Sequence, residues 1–357
     1  MNKINKISIF ENIRSDYLLK KIFNNLKENK LLNIIKYNKY IQKRIKKDIN
    51  SFRDYSKIEI EVTLKLENKR EFIINVLNEK DQLNYHIFLN DEEKELKRIY
   101  IIKTDNDLKK AKIIIEPEVN SFAELFKGCC IKTLNFNKGK TSDIIDMSSM
   151  FRDCDSLEEV NFNKFNAENV KDMSNMFHSC RVLKKVNFGN FNANNVTNMS
   201  DMFSCCFLLE EINLSNFRAN TGKIISMKNM FYFCKSLKEI NLSNFNTENV
   251  TDMSYMFYRC QLLNELNLSN FKFIQVNDMN HMFNECYSLK KLNLPFVNDI
   301  NKVNIEDIFL ECRKLECDEW KDIIKQQNEN KILYQKNNIN EHVGKRICKC
   351  SKICMLF

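Results

Sequence analysis

Glycine and proline are nearly missing, with 5 Gly and 2 Pro in 357 residues, and only 5 Ala stand beside them. So little glycine excludes most loops that cradle phosphate through backbone N–H groups. The triplet Gly139-Lys140-Thr141 ends like such a loop, but Leu134 stands where its first glycine belongs. The four His, at 86, 178, 281 and 342, are scattered, and no His-Glu-x-x-His occurs. Gly-x-Ser-x-Gly and a recurring carboxylate pair are also absent. An enzyme is therefore not expected, nor is a cofactor. No apolar run reaches the roughly 18 residues of a membrane-spanning helix. Residues 1–9 lack the apolar core of a secretory signal. The expectation is a reducing cytosol, in which the 14 Cys are free thiols. Lys+Arg exceed Asp+Glu by 56 to 47, a net charge of +9. That bias is too even for a nucleic-acid binder, which concentrates its charge on one face. Even the basic run 36–47 reads as a solvated helix face, because only Tyr37 and Tyr40 accompany it.

What the chain has is repetition. Phe-x-x-Cys recurs eight times, from Phe126/Cys129 to Phe309/Cys312, at steps of 25, 26, 26, 28, 26, 26 and 26 residues. A fixed period of that size means stacked repeats. In the unit from Cys234 to Cys260, Leu237, Ile240, Leu242 and Phe245 carry an L-x-x-L-x-L spacing. Ile240 and Leu242 flank Asn241 with period two, which predicts a short strand with two inward side chains. Val250, Met253, Met256, Cys260 and Leu263 recur at intervals of three or four, which predicts a helical or 3₁₀ segment. No single unit encloses its own apolar face, so stacking buries it. The expected fold is thus an α/β solenoid with parallel strands. The longer unit near Thr221-Gly222 should bulge at a loop.

These residues resemble the BspA-like leucine-rich-repeat family in its Mycoplasma-type form, M-S-x-M-F-x-x-C-x-x-L-x-x-L-N-L-S-N-F, over residues 121–315. The resemblance implies a leucine-rich-repeat horseshoe and an interaction or surface-adhesion role. The usual family member is exported, and this chain is expected to depart from that. Within the repeat, the Met pairs from 147/150 to 279/282 take 12 of the 14 Met and read as adaptable core filling. The Cys column, one thiol per unit with no His partner, reads as small buried hydrophobes and not as metal ligands or disulfides. Phe165, Phe191, Phe217, Phe245 and Phe271 predict an aromatic spine. The sequons at Asn195, Asn198, Asn249 and Asn267 follow from the wording of the repeat.

Partner-binding candidates are the outward strand positions. One lane is uniformly Asn, at 135, 161, 187, 213, 241, 267 and 293, and is expected to bond side chain to side chain as a ladder. The lane two residues earlier varies: Thr133, Glu159, Lys185, Glu211, Glu239, Glu265 and Lys291. Such variation on an exposed face suits recognition of a protein partner or a plain solvated surface.

The ends carry two further signals. Cys354-Met355-Leu356-Phe357 matches a C-a-a-X prenylation box, with Phe favouring geranylgeranyl. Cys348 and Cys350 are candidate palmitoyl sites, and Lys345, Arg346, Lys349 and Lys352 would meet an anionic leaflet. At about 0.8 kcal/mol per buried CH₂ and about 1 kcal/mol per nearby cation, such a tail would hold the protein on the cytosolic side of a eukaryotic membrane. The box implies a prenyltransferase as a partner. Residues 13–49 predict two or three amphipathic helices, with Ser15-Asp16 as an N-cap. The stretch 13–32 resembles an F-box without its early Pro, which implies docking to a Skp-type adaptor of a ubiquitin ligase. The competing reading is a helical cap over the start of the sheet. The expected organisation is 1–55 helical, 56–118 β-rich lead-in, 119–317 repeats, 318–336 a capping helix around Trp320, and 337–357 a basic tether.

Overall fold

The computed structural model describes residues 39–45, 56–65, 70–76, 79–90, 92–96, 100–102, 109–214, 217–219, 222–295 and 302–316, with Ser15 and Leu18 besides. The prenylation box, the basic tail, the Trp320 helix and nearly all of the F-box-like stretch lie outside these residues. So does most of the expected N-terminal helical region. Within it are α1 (Lys39–Ile45) and the contact in which the Leu18 N–H donates to Ser15 Oγ at 3.3 Å.

The lead-in is β-rich, as its alternation predicts. Strand β1 (Ile58–Leu64) alternates buried and half-buried residues. Around it lie β2 (Arg70–Phe72), α2 (Glu79–Gln82), β3 (Tyr85–Leu89), β4 (Glu95–Leu96), β5 (Tyr100–Ile102) and β6 (Lys109–Ile115). Each repeat then supplies one strand: β7 (Ile131–Lys138), β8 (Glu159–Asn161), β9 (Lys185–Asn187), β10 (Glu211–Ile212), β11 (Glu239–Ile240), β12 (Glu265–Asn267) and β13 (Lys291–Asn293).

Lead-in and repeats share one sheet, ordered β4-β3-β6-β1-β7-β8-β9. The expected boundary at 118/119 therefore runs through a continuous sheet. Strand β1 pairs antiparallel with both β6 and β7, whereas β7, β8 and β9 pair in parallel. An unpaired first strand would be an open template for another chain. Strand β1 covers that edge of β7; the helices expected as a cap lie almost wholly outside the described residues. Gly139 makes the approach feasible. Its φ is +117°, and an added Cβ would stand 2.5 Å from Ile58 Cα.

Beyond β9 the parallel pairing continues as β10–β11 and β12–β13. A second ladder of parallel bridges runs without a break from Ser121 through Asp146, Asp172, Asn198, Ser226, Asp252 and Asp278 to Asn304. This ladder links eight rungs, while the strand line has seven strands paired in three groups.

The M-S-x-M-F-x-x-C segment is not a helix, contrary to the expectation from its spacing. It is a run of turns: Met150 N–H bonds Met147 O, Arg152 bonds Ser149 and Cys154 bonds Phe151, all three residues back. The alternate N–H groups of Met147, Ser149, Phe151 and Asp153 leave the rung and donate to Asp172, Ser174, Met176 and His178 of the next. A helix would consume all of these donors internally. Consecutive turns and a 3₁₀ helix share a spacing of three, so side-chain periodicity cannot separate them.

Two residues in every such segment are left-handed. They run from Glu124 to Asp307 in the first column and from Gly128 to Glu311 in the second, with φ between 49° and 64°. That φ favours Gly or Asn, yet Gly128 is the only glycine among the sixteen. Most segments open on an Asx turn that fixes the local backbone instead, and those at Ser121 and Ser226 open on a serine hydroxyl. Asp146, Asp172, Asn198, Asp252 and Asp278 Oδ1 each accept the N–H two residues on, at 2.8–3.1 Å.

Inside the stack, Phe126, 151, 177, 203, 231, 257, 283 and 309 form one file of parallel rings, 5.2–5.7 Å apart. Phe165, Phe191, Phe217 and Phe245 form the predicted second file at 5.4–5.6 Å. All twelve repeat methionines are buried. The Cys column has a specific task. From Cys154 to Cys312 each thiol of the column donates to the Phe carbonyl one rung back, as Cys154 does to Phe126 O at 2.8 Å and Cys260 to Phe231 O at 3.2 Å. Valine would fill the space and leave that buried carbonyl without the thiol donor.

Candidate functional site

The strand face carries three outward lanes. The Asn lane does not form the side-chain ladder expected of it. Oδ1 of Asn161, Asn187, Asn241 and Asn267 each accepts the backbone N–H two residues on, at 2.9–3.0 Å. These residues end the strands with Asx turns, and Asn213 and Asn293 occupy the same lane after β10 and at the end of β13. Local turn chemistry therefore accounts for their uniformity. The sequon amides of Asn195 and Asn249 are likewise engaged, with the carbonyls of Glu168 and Gly222.

The next lane over reads Lys132, Glu158, Lys184, Glu210, Lys238, Asn264 and Lys290. Its alternation makes cross-rung ion pairs: Glu158 with Lys132 at 3.6 Å and Lys184 at 3.3 Å, and Glu210 with Lys238 at 2.6 Å. Slight burial acts to raise the Glu158 carboxyl. The Lys184 hydrogen bond and the two ammonium charges outweigh it and hold the group below its ordinary value.

The lane between them holds the charged candidates. Lys185 pairs with Glu159 at 3.3 Å, and Lys291 with Glu265 at 2.9 Å. Glu211 and Glu239 are left, in register directly opposite each other. Among the described residues no cation pairs with either. Like charges so placed destabilise a sheet. A groove of about 450 Å³ opens here, lined by Glu211, Glu239, Glu210, Lys184, Lys238 and Leu208. Leu208 is 45% exposed. The recognition candidates thus reduce to one acidic break in a lane whose other charged residues pair.

The sequence pattern of this stack matches that of a family described as Mycoplasma protein of unknown function, DUF285, at residues 120–239 and 209–321. The chain belongs to that family. The DUF285 rungs are leucine-rich-repeat-like, with the inward residues of each strand and the Leu before it packed in a shared core. No curated protein matches the sequence. Among solved structures, the chain is similar to that of a TLR13–ssRNA13 complex, at 20% identity and a TM-score of 0.27. The match covers 52% of this chain and 27% of that one, so the DUF285 chain spans about a quarter of the other's length. It is also similar to a leucine-rich repeat protein from Bacteroides ovatus, at 14% identity and a TM-score of 0.16, over 52% of this chain and 76% of the other. Neither superposes closely.

A second cluster is one that sequence reasoning missed. It lies on the turn edge of the DUF285 rungs, at the left-handed residue two before each motif Phe and at the two residues after it. Tyr232 stacks on Tyr258 at 5.1 Å, and Tyr255 on His281 at 4.7 Å. The Arg259 guanidinium lies 4.7 Å from the Phe233 ring centre and 2.7 Å from Glu285. Glu285 also accepts from the hydroxyls of Tyr258 at 3.0 Å and Tyr287 at 2.6 Å. The Arg259 bond leads in holding its carboxyl below the ordinary value. His178 and His281 are half-buried on this edge. Burial, then the Arg152 charge, lowers the His178 pKa. The signal lies in the columns: His178-Ser179 and Ser204-Cys205 give way to Tyr232-Phe233 and Tyr258-Arg259.

Among the described residues, no helix is long and apolar enough to cross a membrane. Cys348, Cys350, Cys354, Lys345, Arg346, Lys349 and Lys352 lie outside them.

Proposed function

We propose that this protein is a non-enzymatic recognition scaffold, a leucine-rich-repeat solenoid whose strand face binds a protein partner at Glu211 and Glu239. One observation carries the reading: the lane from Glu159 to Lys291 pairs its charges from rung to rung except at these two carboxylates, which stand side by side. A Lys or Arg of the partner would bridge them, with an apolar neighbour on Leu208. Substituting Glu239→Lys completes the alternation. It should raise stability by about 0.2–1 kcal/mol in urea unfolding and abolish capture of the partner from source cells. Capture that survives both Glu239→Lys and Glu211→Lys, or a fall in stability, contradicts the reading.

The membrane anchor belongs to the same proposal. A prenyl group on Cys354, with Cys348, Cys350 and the four cations as second signals, would concentrate the scaffold near membrane-bound partners. It requires Phe357 to end the chain before processing, which mass spectrometry of the terminal peptide reads directly. Wild type is expected in the membrane fraction and Cys354→Ser in the soluble pool. Equal partitioning of the two contradicts the anchor. No observation favours the F-box reading over this one.

A further inference from the structure

The turn edge holds large side chains on backbone that resists them. Phe233, Tyr255, Arg259 and His281 have φ of 59°, 56°, 59° and 53°. Residues other than Gly, Asn and Asp adopt this conformation only at a steric cost. The same two columns carry Ser149, Asp153, Asn175 and Ser179 in earlier rungs, so the fold itself does not demand bulk there. The ring and guanidinium side chains are only half-buried. Tyr, Phe and Arg in one patch are the composition of an interface centre.

Charge says what would cover it. Glu285, the carboxylate inside the patch, is occupied by three donors. Lys235 is exposed, its ammonium 5.1 Å from the Phe207 ring centre and 5.5 Å from that of Phe233. Among the described residues no carboxylate pairs with it. The edge therefore offers aromatic surface with an uncompensated cation, the opposite sign to the Glu211–Glu239 groove.

We infer that the edge formed by Tyr232, Phe233, Tyr255, Tyr258 and Lys235 is a second protein-docking surface, which takes an acidic peptide segment carrying an apolar side chain. The segment's carboxylate would meet Lys235, and its apolar side chain would lie on the rings beside it. This surface is independent of the strand-face groove.

The test is selection of random peptides displayed on phage against the whole protein. The selected peptides should combine Asp or Glu with Leu or an aromatic residue. Their binding should fall at least about tenfold, the loss of a hot-spot side chain, in Phe233→Asn/Tyr255→Asn and in Lys235→Glu, and stay unchanged in Glu239→Lys. The double Asn variant should melt no lower than wild type, because Asn accepts left-handed φ. Failure to enrich any peptide overturns the inference, as does enrichment of basic peptides or binding that ignores the edge variants. A lower melting temperature in the double variant also overturns it, because the rings would then be packing elements of the fold.

Discussion

Raising the pH from 8 to 10 is expected to unfold the repeat stack. Six thiols, of Cys154, Cys180, Cys206, Cys234, Cys260 and Cys286, are fully buried. Burial pushes all six up, Cys154 to about 12 and the others well above the ordinary value or further still. In the unfolded chain each titrates near about 8.5. The sign follows from proton counting. Between the unfolded and folded values the native state binds more protons, so stability falls as pH rises. The contribution is fully present below about pH 8 and is lost progressively above it. At pH 10 each thiol has cost about 2 kcal/mol, at about 1.4 kcal/mol per pH unit beyond its unfolded pKa. Six together reach the range of a typical net stability of about 5–15 kcal/mol. Circular dichroism against pH, under reductant, checks this. A stack whose stability is flat from pH 8 to 10 would show that the thiols are not buried.

Truncating a central ring should also be costly. Phe231 is fully buried and stands between Phe203 and Phe257, 5.5 Å from each. Phe231→Ala removes both ring contacts and leaves a cavity, for a loss of about 3–5 kcal/mol. Phe309, in the last described rung, stacks on Phe283 at 5.6 Å but is only partly buried, so less apolar area is lost with its ring. Phe309→Ala should cost clearly less. Urea titration of both variants measures the difference, which follows from nearest-neighbour stacking. Equal losses would mean that the rungs do not depend on their neighbours.

Much of the fold is legible in the sequence, because a repeat writes the same instruction several times. The 26-residue step, the inward Leu242 and the second Phe file can all be read from the spacing of residues alone. The turn run of Met253 to Cys260 cannot, because side-chain spacing records direction and not hydrogen-bond partners. The Asn lane misleads for a similar reason. A column of identical amides suggests a ladder, but Asn241 has a nearer donor in the backbone N–H of Ser243. The lead-in strand β1 alternates plainly, yet its place against β7 depends on long-range pairing that no local pattern states. At the candidate site, the Glu211–Glu239 conflict shows only when adjacent lanes are compared rung by rung. The aromatic edge is written in the columns on either side of each motif Phe, but nothing in a column says that its residues project together from consecutive turns.

Thiol labelling of the folded protein tests the shared interior most directly. Native protein at about pH 7.5, below the ordinary thiol range, is treated with iodoacetamide, and each cysteine is quantified by mass spectrometry. Cys205, half-exposed on the turn edge, should be alkylated readily, while Cys154, Cys180, Cys206, Cys234, Cys260 and Cys286 stay unmodified until denaturant is added. Alkylation of those six at the rate of Cys205 would contradict a stack of rungs with one common core.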